Sequence, residues 1–411
     1  MSVKLTARVL PRGFRYAGMH CGIKKSARFD LGWIVADAPC AAAGVFTTNR
    51  IKAAPVVLSQ AHVRRAASRM RAVVVNSGNA NCATGPDGMQ ASRSTAAAAA
   101  RLLGCRPEQI LICSTGVIGV PLPVDRIVGA LPRLLPQLAR DPSSYEALAK
   151  SILTTDTQMK CAAASCRIGG RTVRLLGCAK GSGMIHPQMA TMLAFVTTDA
   201  ALPAGILQRA LREVTARTFN VITVDGDTST NDTVLAFASG ASGAPTVRGA
   251  SGSDYRSFVA ALETVCRDLA LAIVEDGEGA SHLVEIEVRG AASDSDANRI
   301  AMTIAHSPLV KTAVAGADPN WGRILAAAGR SGAKLDPDRV EVWFGGVRMY
   351  GRPRGGGASR PLPFDEVDAH QRLLAKRVGI AVDLQKGRGQ ARAWTCDFTA
   401  RYIEINASYR T

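Results

Sequence analysis

The feature that most restricts the fold of this chain is a regular alternation of short apolar segments with helical ones. The run RAVVVN (71–76) predicts a buried strand, the alanine-rich stretch 87–103 predicts a helix, and QILIC (109–113) predicts a second strand. Strands that alternate with helices of this length are typical of α/β proteins. We therefore expect an α/β fold over this part of the chain.

Mixed secondary structure continues towards the carboxyl end. Helices are predicted at 203–217 and 254–275, strands near 283–289, 339–344 and 379–384, and a closing pair of strands near 392–406. A chain of 411 residues is too long for one ordinary core, so two or three structural units are expected. The glycine- and arginine-rich segment 352–360 is predicted to be a surface loop.

Composition excludes several functional classes. Hydrophobic residues make up 47% of the chain and charged residues 20%, as in a folded enzyme rather than a disordered chain. The net charge of +17 favours nucleic-acid binding, but the arginines are scattered singly and no aromatic stacking platform accompanies the 352–360 loop. No apolar run is long enough for a membrane span, and the first residues lack the apolar segment of a secretion signal. We expect a cytoplasmic protein without a nucleic-acid or membrane partner.

Cysteine and histidine spacing gives no sign of a metal site. The ten cysteines form no C-x-x-C pair, and the six histidines show no ligand-like spacing. Most of the cysteines lie in apolar runs, where a reduced thiol behaves as a small buried hydrophobe. We therefore expect no bound metal.

One segment joins a glycine-rich turn to an apolar strand. KGSGMIHPQMATML (180–193) places Ala190 and Thr191 at that junction. A threonine hydroxyl can attack the preceding carbonyl where the backbone bends sharply, and Gly181 and Gly183 permit such bends. Cleavage would leave Thr191 with a free amine that can activate its own hydroxyl. A threonine that merely opens a strand would give the same pattern, so this segment alone leaves both interpretations open.

Further motifs are spread along nearly the whole chain. They are CGIKKSARFDL (21–31), FTTNRIKAAPV (46–56), NSGNANCATG (76–85), STGVIG (114–119), TTDT (154–157), KGSGMIHPQMATML (180–193), DGDTSTNDT (225–233), EDGEGA (275–280), VKTAVAGADPNWGRI (310–324) and INASYRT (405–411). Together they resemble the ornithine acetyltransferase family, whose members are self-processing glutamate N-acetyltransferases of arginine synthesis. The resemblance implies autocatalytic cleavage between Ala190 and Thr191. It also implies an α/β sandwich shared with a group of self-processing aminopeptidases.

The resemblance assigns roles to particular residues. It makes Thr191 the nucleophile and makes Thr115 and Gly116, in STGVIG, the oxyanion-stabilising pair. The substrate-binding positions that it implies are Thr154, Lys180, Thr191, Glu278, Asn406 and Thr411. Cleavage would give an α chain (1–190) with oxyanion and substrate-binding residues, and a β chain (191–411) that begins with the nucleophile and carries the remaining substrate contacts. Family members assemble these chains into an α2β2 heterotetramer or a larger complex.

The implied reaction is a ping-pong transfer of acetyl from N2-acetyl-L-ornithine to L-glutamate through an acetyl-Thr191 intermediate, without a cofactor. Some family members also use acetyl-CoA as the acetyl donor, and the motifs leave that point open. Specificity can change while the chemistry stays, so a paralogue acting on another acylated amino acid in a secondary-metabolite pathway is an alternative. A self-processing aminopeptidase or amidohydrolase is another.

The acidic segment 225–233 permits two further hypotheses. An EF-hand loop beginning at Asp225 would need glycine at position 230 and glutamate at 236; the chain has Thr230 and Ala236, so that type of calcium site is excluded. A D-x-D phosphatase would use Asp225 as nucleophile at the end of a strand VITV (221–224). A carboxylate-rich turn that supports the site is the simpler interpretation, and the phosphatase stays a rival.

Overall fold

The chain divides into two structural units whose segments interleave in sequence. A computed structural model describes residues 3–186 and 192–408. The first unit comprises Met1–Asn220 and Asp227–Ile273, and the second comprises Val221–Gly226 and Val274–Thr411. Two units agree with the expectation from chain length.

The described residues of the first unit form an eight-stranded sheet. Its strands are β1 (Phe14–Met19), β2 (Leu31–Phe46), β3 (Met70–Asn79), β4 (Ile110–Val117), β5 (Lys160–Ile168), β6 (Arg171–Lys180), β7 (Leu193–Thr198) and β8 (Thr233–Ala238). The order across the sheet is β4-β3-β2-β8-β7-β6-β5, with β1 paired to β2. The pairs β3–β4 and β7–β8 are parallel, and the other pairs are antiparallel.

Strand β2 joins the two halves of this sheet because its 16 residues are enough to pair twice. Its first half pairs with β1 and β3, and its second half, 41–46, pairs with β8. Between these halves, residues 37–39 are exposed. The long strand therefore places the ends of β4, β6 and β7 in one continuous sheet.

Helices of the first unit supply partners for both faces of the sheet. They are α1 (Ala54–Ala66), α2 (Gly85–Leu103), α3 (Val124–Leu134), α4 (Pro142–Ser151), α5 (Ala204–Arg217) and α6 (Gly252–Glu275). Side chains alternate along a strand, so Ala72 and Val74 of β3 share a core cluster with the alanines of α2. Val73 and Val75 instead share a cluster with Leu148 of α4. Apolar residues thus cover the strand on both faces.

The residues of the second unit that the structure describes form a separate six-stranded sheet. The strands are β9 (Leu283–Ala291), β10 (Glu341–Phe344), β11 (Val347–Gly351), β12 (Arg360–Pro361), β13 (Arg377–Asp383) and β14 (Gly389–Cys396), in the order β12-β11-β10-β13-β9-β14. The helices are α7 (Asp294–Ala305), α8 (Pro308–Ala315), α9 (Trp321–Gly329), α10 (Glu366–Leu373) and α11 (Ala400–Ala407). Ile300 and Ile304 of α7 share a core with Val284 and Ile286 of β9.

The predicted α/β class is confirmed, and most predicted elements occur. The segments 71–76, 87–103 and 109–113 correspond to β3, α2 and β4. The prediction of a closing pair of strands is wrong, because β14 is followed by helix α11. The side chain of Thr399 accepts the N–H of Arg401 and so caps the start of that helix.

The predicted strand VITV is also wrong. Residues 219–221 form a short 3-10 helix, and Ile222 makes only a single bridge, to Trp394 of β14. The chain enters the second unit at Val221 and leaves it after Gly226, and of these residues only Ile222 bridges to a strand. The strand end on which the phosphatase hypothesis placed Asp225 therefore does not exist.

The described residues include neither a membrane-spanning helix nor a group of side chains suited to a metal ion. Within 3–186 and 192–408, no helix has the length and apolar character needed to cross a membrane. In the same ranges, no cluster of three or more His, Cys, Asp or Glu side chains could hold a metal ion.

Candidate active site

The predicted oxyanion pair lies at the end of β4, where the backbone comes very close to β3. Thr115 is 2% exposed. Gly116 has φ +133°, and a Cβ there would lie 2.3 Å from the carbonyl carbon of Gly78. A side chain at this position would push the two strands apart, so the close approach requires glycine. Glycine at position 116 therefore permits the close approach of β3 and β4 at this turn.

A buried asparagine holds the same turn from another part of the chain. Asn231 Nδ2 donates to the carbonyl oxygens of Ser114, at 2.8 Å, and Ala80, at 2.6 Å. The Ser114 hydroxyl donates to Asn76 Oδ1 at 2.6 Å. Because buried polar groups are costly unless they are paired, this network keeps the chain on either side of Thr115 in place.

Lys180 lies against Thr115. It is the last residue of β6 and is 3% exposed. Its Nζ donates to Thr115 Oγ1 at 3.4 Å. A buried ammonium beside a hydroxyl can attract a substrate carboxylate or a developing oxyanion.

A buried carboxylate organises the segment around Thr154. Asp156 Oδ1 receives Lys160 Nζ and the backbone N–H of Gly181, each at 2.7 Å, and Oδ2 receives the N–H of Thr154 at 2.9 Å. Burial raises the pKa of Asp156, but the charges of Lys160 and Lys180 outweigh it and hold that pKa below its usual range. Asp156 is therefore an ionised anchor for Thr154, which is half-buried.

A third lysine approaches the same cluster. Lys24 Nζ donates to the carbonyl oxygen of Leu153 at 2.7 Å. Burial, assisted by the charge of Arg28, lowers the pKa of Lys24 to about 8. Three lysines thus interact electrostatically with Asp156: Lys24, Lys160 and Lys180. Such a concentration of positive charge suits an anionic substrate group.

In the second unit, Glu278 and Asn406 form a direct pair. Asn406 Nδ2 donates to Glu278 Oε2 at 2.8 Å and to the carbonyl oxygen of Tyr402 at 3.0 Å. Glu278 is buried, whereas Asn406 is exposed on α11. Gly279 has φ +73°, and a Cβ there would lie 2.5 Å from the Tyr402 nitrogen. Glycine thus lets the loop that carries Glu278 lie against α11.

The predicted residues therefore fall into two groups, each inside one unit. Thr115, Gly116, Thr154 and Lys180 belong to the first unit, and Glu278 and Asn406 belong to the second. Ala190, Thr191 and Thr411 lie outside the described residues, so their roles stay predictions.

Sequence analysis missed several residues that build the first group. They are Lys24, Asp156, Lys160 and Asn231. Asp156 and Lys160 are four residues apart, but their spacing gives no hint of burial. Asp232 was predicted as part of a carboxylate-rich supporting turn without a particular partner, and its Oδ1 accepts the N–H of Met192 at 2.9 Å. The one available signal was its place directly before the apolar strand β8.

Comparison with known proteins adds evidence independent of this geometry. A family model described as the ArgJ family matches residues 15–411. The chain is 50% identical to the arginine biosynthesis bifunctional protein ArgJ of Symbiobacterium thermophilum, over 98% of both chains. It is 45% identical to the protein of that name from Thermotoga neapolitana, over 98% of this chain and 100% of the relative. A crystal structure of the Bacillus halodurans protein is 45% identical and covers 52% of this chain and 98% of its own, with a TM-score of 0.49.

Proposed function

The chain belongs to the ArgJ family of bifunctional arginine-biosynthesis enzymes, and from this premise we propose that it is a self-processing glutamate N-acetyltransferase. It cleaves itself between Ala190 and Thr191 and then transfers acetyl from N2-acetyl-L-ornithine to L-glutamate. The observation that carries this proposal is the convergence of Lys180 Nζ on Thr115 Oγ1, at 3.4 Å. Both side chains are buried in the sheet whose strand β7 begins just after Thr191.

Self-cleavage comes first. The Thr191 hydroxyl oxygen attacks the Ala190 carbonyl carbon, the peptide C–N bond breaks, and the Thr191 nitrogen takes up a proton. Water then hydrolyses the resulting ester, which gives a carboxylate at Ala190 and restores the Thr191 hydroxyl. The products are the chains 1–190 and 191–411. The new terminal amine can serve as general base for the hydroxyl of the same residue.

Acetyl transfer follows in two half-reactions. Thr191 Oγ attacks the acetyl carbonyl of acetylornithine, ornithine leaves with a proton on its amine, and an acetyl ester remains on Thr191. The glutamate amine attacks that ester, and the acetyl group leaves as acetylglutamate while the hydroxyl is restored. In both steps the Thr115 hydroxyl and the Gly116 N–H stabilise the negative charge that develops on oxygen.

The remaining predicted residues hold the two amino acids. Lys180 pairs with a substrate carboxylate, supported by the excess of lysine around Asp156. Thr154, whose backbone N–H is held by Asp156, offers a hydroxyl as a further substrate contact. Glu278 and Asn406 offer a carboxylate and an amide for an ammonium group, and Thr411 is proposed to bind with them. Buried charges on a substrate need such partners.

The proposed cycle needs no cofactor, because acetylornithine supplies the acetyl group, and acetyl-CoA is the alternative donor to be tested. We place the enzyme in the cytoplasm, with the other steps of amino-acid synthesis. The two chains are proposed to assemble as an α2β2 heterotetramer or larger. Light scattering checks this, since the heterotetramer has twice the mass of one uncleaved chain.

Electrophoresis under denaturing conditions tests the cleavage. We expect wild-type protein to give two bands of nearly equal size, and Thr191→Ala to give one full-length band. Thr191→Ser, which keeps a hydroxyl, is the matched control and is expected to cleave. A wild-type chain that stays intact contradicts the proposal.

A substrate assay separates transfer from hydrolysis. The protein is incubated with N-acetylornithine in the presence and absence of glutamate, and ornithine release is followed. A transferase releases ornithine rapidly only when the acceptor is present, whereas rapid release without glutamate indicates an amidohydrolase. Replacing acetylornithine by acetyl-CoA in the same assay tests the second donor, and other acylated amino acids test the paralogue.

A further inference from the structure

One buried carboxyl group stands beside the proposed cleavage position without a role in the acetyl-transfer cycle. Asp232 precedes β8 and has no exposed surface. Its Oδ1 accepts the N–H of Met192 at 2.9 Å, and the next residue, Thr233, donates its N–H to the Met192 carbonyl oxygen at 3.1 Å. The Met192 nitrogen is bonded to the carbonyl carbon of Thr191. Asp232 thus holds the peptide group that follows the proposed nucleophile.

The second oxygen of this carboxyl group is available for a proton. Oδ2 is buried and has no hydrogen-bond partner among the described residues. Burial raises the pKa of Asp232 well above its ordinary value, and this outweighs the Met192 N–H, the positive charge of Lys180 and the nearby hydroxyls of Ser229 and Thr47, which all act in the opposite direction. Asp232 is therefore a stronger base than Asp156, whose pKa is lowered.

The chemistry of the uncleaved chain requires such a group. In the mature enzyme, the terminal amine of Thr191 can remove the proton from the hydroxyl. Before cleavage that nitrogen belongs to a peptide bond and has no basic lone pair. The first attack on the Ala190 carbonyl therefore needs a proton acceptor from elsewhere in the chain, and only during self-cleavage.

We propose that Asp232 accepts the Thr191 hydroxyl proton during self-cleavage and returns it to the leaving nitrogen. This inference rests on the self-cleavage put forward under the proposed function. The Asp232 carboxylate takes the proton as Thr191 Oγ bonds to the Ala190 carbonyl carbon. When the C–N bond breaks, the same proton passes from Asp232 to the Thr191 nitrogen, which becomes the amine. Asp232 ends as the carboxylate with which it began, and water completes the cleavage by hydrolysing the ester.

Timed cleavage of the newly made chain tests this role. Full-length protein is synthesised in a cell-free system, quenched at intervals in denaturant, and resolved by electrophoresis at several pH values. Asp232→Asn keeps an oxygen that can accept the Met192 N–H but cannot carry a proton. We expect its cleavage to be at least about a hundredfold slower than wild type, the contribution typical of general acid–base catalysis.

A matched variant shows whether any buried carboxylate would give the same result. Asp199 directly follows the last residue of β7, whereas Thr191 precedes the first. Asp199 is also fully buried, and it accepts the N–H of Arg174 at 2.7 Å. Asp199→Asn is expected to cleave at about the wild-type rate in every molecule that folds. Melting temperatures, measured by circular dichroism, establish the folded fraction of each variant.

The pH profile distinguishes proton transfer from mere positioning. Cleavage requires the ionised form of Asp232, so the wild-type rate should fall as pH falls, beginning well above the range of an ordinary aspartate. The residual cleavage of Asp232→Asn should lack this acidic limb. Cleavage by Asp232→Asn at the wild-type rate overturns the inference, as does a wild-type profile with no acidic limb, or the same limb in the variant. A wild-type chain that never cleaves overturns the proposed function itself.

Discussion

The carboxylate of Asp156 lies 2.7 Å from the ammonium of Lys160, and both side chains are completely buried. Removing one charge would leave the other buried without this partner, and breaking a buried pair typically costs about 3–5 kcal/mol. We expect Asp156→Asn to lower the free energy of unfolding by an amount in that range. Urea unfolding measures it best in the Thr191→Ala chain, where cleavage cannot complicate refolding.

The chain contains a matched control for this pair. Glu146 and Lys150 are also four residues apart, and their charged atoms lie 2.6 Å from each other, but their side chains are 42% and 51% exposed. Exposed pairs contribute about 0–1 kcal/mol, so Glu146→Gln should change stability little. Equal losses in Asp156→Asn and Glu146→Gln would show that burial of the first pair has no energetic consequence.

Two glycines of the STGVIG motif allow a test of the oxyanion turn. Gly116 and Gly119 both have positive φ, but a Cβ at Gly116 would lie 2.3 Å from the Gly78 carbonyl carbon, whereas a Cβ at Gly119 would meet nothing within 4 Å. Gly119→Ala should cost only the left-handed conformation, about 1–2 kcal/mol of stability, with kcat nearly unchanged. Gly116→Ala should also separate β3 from β4 and displace the oxyanion donors, which lowers kcat for acetyl transfer about 10²–10³-fold.

Steady-state acetyl transfer and thermal melting, measured on the same preparations, check this prediction. The comparison controls for the backbone cost, because both substitutions place alanine at a positive φ. Equal kcat values for the two variants would exclude a requirement for close approach of the strands at Gly116.

The contact between Asn406 and Glu278 predicts energetic coupling in the second unit. If the amide orients the carboxylate for substrate, Asn406→Ala and Glu278→Gln should each lower kcat/KM, and the double variant should lose less than the sum. Contacting residues typically show coupling of about 0.5–3 kcal/mol. The kcat/KM values of the four proteins give the coupling directly.

Glu404 on the same helix supplies the control cycle. Its contact with Arg401 is exposed on the surface of α11. Glu404→Gln combined with Glu278→Gln should be additive within about 0.5 kcal/mol. If the Asn406 cycle is equally additive, the hydrogen bond between Asn406 and Glu278 has no part in substrate use.

The spacing of apolar residues predicted the helices and strands whose local pattern agrees with their burial. The apolar run 71–76 and the alanine-rich stretch 87–103 became β3 and α2, because local pattern and burial agree there. It failed for α11, where a short apolar segment suits either a strand or a helix and the Thr399 cap decides. It failed for 221–224 because that segment belongs to a different unit from the residues on either side.

Only those site residues that lie within sequence motifs could be predicted. STGVIG and KGSGM supplied Thr115 and Lys180, which the fold brings within 3.4 Å of each other. The contacts of Asn231 with Ser114 and of Asp232 with Met192 span 117 and 40 residues of sequence. They exist because β8 lies between β2 and β7 in the sheet, and no local pattern encodes that order.

The lowered pKa of Lys24 predicts how stability changes in alkaline solution. This pKa is about 8 in the folded chain, lowered mainly by burial, against about 10.4 for an unfolded lysine. Between these values the unfolded chain binds more protons, so the contribution of Lys24 to the free energy of unfolding should rise with pH from about 8 to about 10.4 and be constant below 8. Urea unfolding of the Thr191→Ala chain, with and without Lys24→Met, gives this contribution as the difference between the two curves of unfolding free energy against pH.

Lys25→Met removes the same chemical group from an exposed neighbouring position and is the matched control. A difference that does not change across this pH range would contradict the lowered pKa of Lys24. The same pH dependence in Lys25→Met would also contradict it, because that lysine is exposed.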